Sequence, residues 1–114
     1  MIAVIFEVAP AENCKAHYLS IAADLKEYLK DIPGFISIER FQSLVDSSKI
    51  LSLSFWRDEA AIAQWRNLEA HRAAQVKGRK DLFKDYRIRV ATVLRDYSMV
   101  DGGQAPEDSR DIHR

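Results

Sequence analysis

Few side chains in this sequence have a type and spacing that could do chemistry, and the clearest are Trp65 and His71, six residues apart. An imidazole that is neutral near pH 7 can remove a proton from a substrate. An indole N–H can donate a hydrogen bond to a developing oxyanion or to a peroxide oxygen. Together the two residue types could supply a base and a hydrogen-bond donor to a small molecule. The sequence therefore predicts Trp65 and His71 as catalytic residues.

The same two residues also have a purely structural interpretation. Six residues on an unbroken helix correspond to about 600°, so the two positions would lie about 120° apart around the axis. They converge only if the helix bends near residues 67–70 or if both line one wide cleft. Trp65 also lies on an apolar stripe with Ile62 and Leu68, where a tryptophan usually serves packing. His71 has a corresponding interpretation as a histidine in an interface, and both interpretations stay open.

Length and charge limit the classes of protein that fit. A chain of 114 residues predicts one domain. Lys and Arg number 17, as do Asp and Glu, so the basic surplus of a nucleic-acid-binding protein is absent. The apolar N-terminus lacks the basic start and the length of a signal peptide or a membrane span. We therefore expect a cytoplasmic protein without nucleic-acid or membrane partners.

Metal and cofactor sites are not predicted. The single cysteine, Cys14, excludes an internal disulfide and a cluster of several cysteines on a metal. The spacing of His, Asp and Glu makes no persuasive metal site, and the scattered glycines make no phosphate loop. We expect no metal and no cofactor.

The hydrophobic pattern predicts six elements in the order β-α-β-β-α-β. Strands are expected at residues 2–8, 35–44, 49–56 and 86–97, and helices at residues 11–29 and 59–77, the second either continuous or broken near 68–70. A VDSS turn joins the middle strands, and Asp58 can cap the second helix. This order is typical of the ferredoxin-like α+β fold, a four-stranded antiparallel sheet with two helices on one face. We assign residues 1–100 to this domain and residues 101–114 to a polar, flexible tail.

Both faces of the predicted strands are apolar, which suggests a partner. In the first strand Val4 and Ile5 point to opposite faces, and in the third strand Ile50 and Leu53 do so. Two helices cover only one face of a sheet, so the second apolar face needs another cover. The sequence therefore predicts a homodimer packed sheet against sheet.

Charged residues on the strands have structural explanations. Glu7 alternates with Ala3 and Ile5, and its expected partner is Arg40 or an arginine of the last strand. Arg87, Arg89 and Arg95 are predicted to share one face of the last strand with Tyr97, at the dimer surface or in solvent.

Three segments together carry a resemblance to a known family: FWRDEAAIAQW, then HRAAQ, then YRIRVATVLRDYS. They resemble the antibiotic biosynthesis monooxygenase family over about residues 2–98. The resemblance implies small dimeric α+β barrels, and thus a homodimer that binds a small aromatic substrate. The family includes cofactor-free monooxygenases that form quinones, haem-degrading oxygenases and members of unknown activity.

Neither branch of this family is matched completely. The cofactor-free branch uses an Asn, a Trp four residues later and a Tyr six residues after the Trp, and these positions hold Ala61, Trp65 and His71 here. The haem-degrading branch uses an Asn in the first strand, the Trp and a His ten residues later, where this chain has Glu7 and Gln75. The resemblance therefore implies a cofactor-independent monooxygenase acting on a small aromatic or quinol-like molecule. The alternatives are a non-catalytic dimeric protein that binds small molecules or acts in stress, and a haem-binding or haem-degrading member.

Overall fold

The computed structural model describes residues 1–75 and 83–107, and for residues 69–75 it describes the backbone alone. The elements are β1 (Ile2–Pro10), α1 (Lys15–Leu29), β2 (Phe35–Gln42), β3 (Ile50–Trp56), α2 (Glu59–Gln75) and β4 (Phe83–Thr92). The strands form one sheet in the order β2-β3-β1-β4, and every neighbouring pair is antiparallel. This is the ferredoxin-like arrangement, so the fold predicted from the sequence is confirmed.

One face of the sheet, which we call the helix side, carries the core. Two clusters of buried side chains lie there, each combining the sheet with helices. The first cluster contains Val4, Leu29, Trp56, Ala61 and Ile62, and the second contains Val8, Tyr18 and Ile50. Phe83 extends the second cluster, because its ring meets the edges of the Phe6 and Tyr18 rings at centroid distances of 6.1 and 5.7 Å.

Strand β3 buries an unexpected set of its side chains beneath the helices. Ser52 and Ser54 lie on the helix side and are only 6% and 2% exposed, whereas the larger Leu51, Leu53 and Phe55 face the other way and are half-buried. An amphipathic strand normally turns its larger apolar residues to the core. The inverted pattern leaves small side chains between the two clusters and an apolar centre on the helix-free side of the sheet.

Helix α1 begins later than its apolar pattern predicts, at Lys15 rather than at Ala11. Asn13 has a φ of 64°, in the left-handed region that asparagine tolerates better than most residues. The backbone N–H of Cys14 donates to Ala11 O at 2.9 Å. The residues before Lys15 therefore form a turn that redirects the chain from β1 into the helix.

The position of β4 corrects the prediction of a strand over residues 86–97. The strand begins at Phe83 and ends at Thr92, and its pairing with β1 closes where Val93 N donates to Met1 O at 3.0 Å. Beyond it, Ser98 N donates to Asp101 O at 2.7 Å, so the chain satisfies its backbone groups locally rather than in the sheet. Arg95 and Tyr97 therefore lie outside the strand, and their predicted alignment with Arg87 is wrong.

Asp58 begins α2 as predicted. Its carboxylate accepts a hydrogen bond from Ala61 N at 3.0 Å, the usual contact of a helix N-cap. The Arg57 side chain and then this backbone bond hold the pKa of Asp58 below its ordinary value. A carboxyl group whose pKa is lowered by folding stabilises the folded state above its unfolded pKa, and that contribution is lost as pH falls through the lowered pKa.

Gly34 joins α1 to β2 at a point where a side chain has no room. Its φ is 92°, and a Cβ placed there would lie 2.9 Å from Ala61 Cβ. We expect Gly34→Ala to lower the free energy of unfolding by about 2 kcal/mol, because it adds both backbone strain and a clash in the core. Urea denaturation followed by circular dichroism measures this change. Gly102→Ala is the matched control, since a Cβ there meets no atom within 4 Å, and equal losses for both variants would contradict the explanation.

The segment after β4 is built from turns. Asp96 N donates to Gln104 Oε1 at 2.8 Å, and Ala105 is buried. The prediction of a flexible tail over residues 101–114 stays a prediction, and residues 108–114 lie outside the described residues. Within the ranges that the structure describes, no helix is long and apolar enough to cross a membrane.

Candidate functional site between the sheet and the helices

Trp65 is the predicted site residue whose side chain the structure places. It lies on α2, half-buried against the first cluster, and its ring packs on Trp56 with centroids 5.6 Å apart. Its Nε1 atom is buried and has no hydrogen-bond partner in the part of the chain that the structure describes. The neighbouring Trp56 differs, because its Nε1 donates to Ser54 Oγ at 2.9 Å. A buried donor without a partner costs free energy, so the Trp65 N–H is a candidate ligand-binding group.

His71 lies on the same helix, but its side chain falls outside the described residues. The backbone shows whether the helix breaks between the two positions, because α2 is continuous from Glu59 to Gln75. Positions 65 and 71 therefore lie about 120° apart around the helix axis. The break considered near residues 68–70 does not occur, so a molecule that met both side chains would have to occupy a wide cleft.

A second buried donor without a partner lies on β2. Arg40 faces Ser52 across the β2–β3 pairing, and Ser52 in turn faces Phe6, which places all three on the helix side of the sheet. The Nε atom of Arg40 is buried, and its N–H donates to no acceptor among the residues that the structure describes. Arg40 therefore cannot be the partner of Glu7, which lies on the opposite face.

The partner of Glu7 is an arginine of the last strand, as the sequence allowed. Arg89 Nη1 lies 3.1 Å from Glu7 Oε2 on the helix-free side. A polar pocket of about 250 Å³ lies at the end of this side, and its lining includes Glu7, Lys49, Asp85 and Arg87. Its acidic and basic side chains are balanced, so the pocket shows no preference for either charge.

The two buried donors lie toward the β2 edge of the sheet, and strand β4 forms the opposite edge. On β4, Tyr86, Ile88 and Val90 pair with Val8, Phe6 and Val4 and so lie on the helix side, yet they are 59%, 51% and 49% exposed. We call the helix-side region from Trp65, over Ser54 and Ser52, to Arg40 the interlayer site. Two small serines, apolar neighbours and two N–H donors without a partner among the described residues are the kinds of group that line small-molecule sites.

Among the side chains that the structure describes, those of residues 1–68 and 83–107, no group of three or more His, Cys, Asp and Glu is placed to hold a metal ion.

Comparison with known proteins identifies the family. A sequence model described as antibiotic biosynthesis monooxygenase (ABM) matches residues 1–77, more than half of the 114-residue chain. The chain belongs to this family. A jasmonate monooxygenase ABM from Pyricularia oryzae is 46% identical over 93 residues, which cover 82% of this chain and 43% of that protein. The chain therefore spans less than half the length of this relative.

Two further proteins are similar to this chain, one in sequence and one in fold. An uncharacterised protein of Bacillus subtilis, YqjZ, is 33% identical over 93 residues, which cover 82% of this chain and 79% of that protein. The crystal structure of SnoaB, a cofactor-independent oxygenase from Streptomyces nogalater, superimposes with a TM-score of 0.67 at 13% identity, covering 83% of this chain and 94% of that one. At such low identity the likeness to SnoaB shows that the two share the ABM fold.

The ABM framework explains why Ala61 stands where the resemblance implied an asparagine. Ala61 is 1% exposed, belongs to the first cluster and lies directly beneath Gly34. A larger polar side chain has no space there and no hydrogen-bond partner in that cluster. In this ABM chain, position 61 is therefore part of the core, and the polar groups of the site come from other residues.

Sequence reasoning missed Arg40 as a site residue. It treated Arg40 only as a partner for Glu7, because the register that pairs Arg40 with Ser52 is set by the fold and not by alternation within each strand. The detectable signal was the pair Ser52 and Ser54, two small polar residues on one face of an otherwise apolar strand.

Proposed function

We propose that this ABM-family chain is a cofactor-independent monooxygenase that oxidises a small aromatic or quinol-like molecule in the interlayer site. The observation that carries the proposal is the buried Trp65 Nε1, which has no hydrogen-bond partner among the described residues. A donor that packing holds in place can stabilise a charge that develops on a substrate oxygen with little reorganisation during the reaction. Family membership supplies the reaction class.

The chemistry balances without an external reductant. A base removes a proton from a CH2 group that a phenol or, in a keto acid, the adjacent ketone activates, and the carbanion passes one electron to O2. The resulting radical pair combines to form a C–O bond, giving a hydroperoxide that the Trp65 N–H can hold. Loss of water then leaves a carbonyl, so one oxygen atom of O2 enters the product and the other leaves as water. The CH2 carbon loses four electrons and O2 gains four.

His71 is the proposed base. A neutral imidazole suits the task near pH 7, and the histidine follows Trp65 by six residues on the same continuous helix. Since the two positions diverge around the axis, the substrate would extend between them. His71→Ala is therefore to be assayed beside the Trp65 variants.

A cyclic keto acid is a second candidate substrate. It is favoured by the 46% identity with the jasmonate monooxygenase, a likeness that covers 82% of this chain. Jasmonic acid therefore belongs in any substrate panel for this protein.

We also propose that the working form is a homodimer. On the helix-free side, Leu51, Leu53 and Phe55 form an apolar centre beside the half-buried Ile5. Charged side chains such as the Glu7–Arg89 pair lie around it. An apolar centre with a polar rim is the usual build of an interface, and a two-fold axis would place the same centre against itself.

The proposed reaction is tested by oxygen uptake. We expect the purified protein, freed of metal by a chelator, to consume one O2 per substrate oxidised with at least one of anthrone, 1,4-naphthohydroquinone and jasmonic acid. With ¹⁸O2, one labelled atom should enter the product and hydrogen peroxide should not accumulate. Saturable binding of these molecules without oxygen uptake would instead support the non-catalytic binding protein.

A further inference from the structure

Arg40 sits in an apolar part of the sheet. Its row across the sheet continues through Ser52 and Phe6 to Ile88, and none of these residues carries a charge. The adjacent carboxylate on its own strand, Glu39, pairs with Leu53 and so lies on the helix-free side. The guanidinium therefore has no acidic neighbour on its own face of these four strands.

The ion pairs of the described residues leave Arg40 out. They join Lys30 to Glu27, Arg57 to Asp58 and Arg89 to Glu7. A guanidinium is always charged at physiological pH, and its buried Nε lacks even a neutral acceptor. Burying part of a charge without a partner is unfavourable. An anionic ligand that accepts from Nε would remove this cost.

Arginine suits one kind of anion in such a place. Its planar fork matches the two oxygens of a carboxylate, which can accept two parallel hydrogen bonds. One positive charge among apolar side chains balances one negative charge, whereas a phosphate dianion would need further donors. The ligand thus combines a single carboxylate with an apolar body.

The strand register gives the scale of the separation between the two unpaired donors. Trp65 packs on Trp56, and Arg40 lies opposite Ser52. Four residues along β3 separate Trp56 from Ser52, which corresponds to about 13 Å between their Cα atoms. Because a long side chain stands at each end of this span, we infer that a ring with a short carboxylic-acid chain can reach from one donor to the other.

We propose that Arg40 binds the carboxylate of the substrate and thereby makes this chain selective for apolar, ring-containing carboxylic acids. The inference rests on the proposed function for the identity of the site. In this proposal the ring lies over the small side chains of Ser52 and Ser54, and Trp65 meets the end that reacts with oxygen. Arg40 is in this view a specificity-determining residue.

Binding of an acid and its ester tests the inference without turnover. The probes are 3-oxo-2-pentylcyclopentaneacetic acid and its methyl ester, measured by calorimetry under anaerobic conditions. We expect wild-type protein to bind the acid about 10- to 100-fold more tightly than the ester, since a hydrogen bond to a charged group is worth that factor. Arg40→Gln should lose this preference for the acid and leave ester binding unchanged, and Arg40→Lys should keep part of it.

Arg95→Gln is the control, because it makes the same change of net charge at an exposed residue beyond β4. It should bind both probes as the wild type does. Equal affinity of wild-type protein for acid and ester, binding of neither, or equal losses for both in Arg40→Gln would overturn the inference. The acid–ester comparison on wild-type protein stands even if Arg40→Gln does not fold.

The two proposals fail separately. Acid binding that depends on Arg40, together with no oxygen uptake from any substrate, would retain this inference and remove the monooxygenase. Oxygen uptake that Arg40→Gln lowers equally for acids and for neutral substrates would retain the monooxygenase and remove this inference.

Discussion

Replacing Trp65 by phenylalanine is expected to lower the rate of oxygen consumption by about 100-fold while leaving the free energy of unfolding nearly unchanged. The loss of rate follows from removal of one preorganised donor to an oxyanion or peroxide, which typically costs a factor of this size. The stability should hold because the deleted N–H has no partner among the described residues, and the phenyl ring can still pack on Trp56. Oxygen uptake at saturating substrate and urea denaturation measure the two effects.

Trp56→Phe is the matched control. Its ring is fully buried and its N–H donates to Ser54 Oγ at 2.9 Å. This variant should lose about 2 kcal/mol of stability, because it leaves a small cavity and an unpaired hydroxyl group. Its rate per folded molecule should stay within a few fold of the wild type. A Trp65→Phe variant that is destabilised but retains full rate would assign Trp65 to packing alone.

Replacing Leu53 by aspartate is expected to convert a dimer into monomers. Leu53 lies at the centre of the helix-free side, between Ile5 on β1 and Glu39 on β2. A carboxylate placed there would be buried against a second copy without a cationic partner, which should weaken association by at least about 100-fold. Sedimentation velocity at micromolar concentration measures the change.

The control for this variant is the same substitution at an apolar residue outside the sheet. Leu44 lies between β2 and β3 and is 101% exposed, so Leu44→Asp should sediment as the wild type does. A wild-type protein that sediments as a monomer at this concentration would contradict the proposed homodimer. A Leu53→Asp variant that remains dimeric would instead place the interface elsewhere.

The two experiments also separate site from assembly. A monomeric Leu53→Asp protein that keeps its oxygen uptake would show that the interlayer site is complete within one chain. Loss of uptake on dissociation would show that the second copy supports the site, since Leu53 itself points away from the helix side.

The sequence by itself determined the order of elements and the residues that can fill them. Apolar residues at periods of two and of 3.6 are local features, so β1, β3 and both helices could be placed from the pattern alone. The cap at Asp58 and the turn before β3 were equally local. The family resemblance, which depends on short segments, was confirmed for the same reason.

The tertiary structure decided which face of each strand is covered and which polar groups are left without partners. Alternation places Ser52 and Leu53 on opposite faces, but only the positions of the helices make the serine face the buried one. Strand β4 ends where β1 has no further residue to pair with it. The partner of Glu7 lies on a strand more than eighty residues away in the sequence. The sequence predicted Trp65 as a site residue, but only the structure shows that its N–H and the Nε of Arg40 are buried without partners among the described residues. A missing hydrogen bond is a property of all the atoms around a donor and not of its own segment.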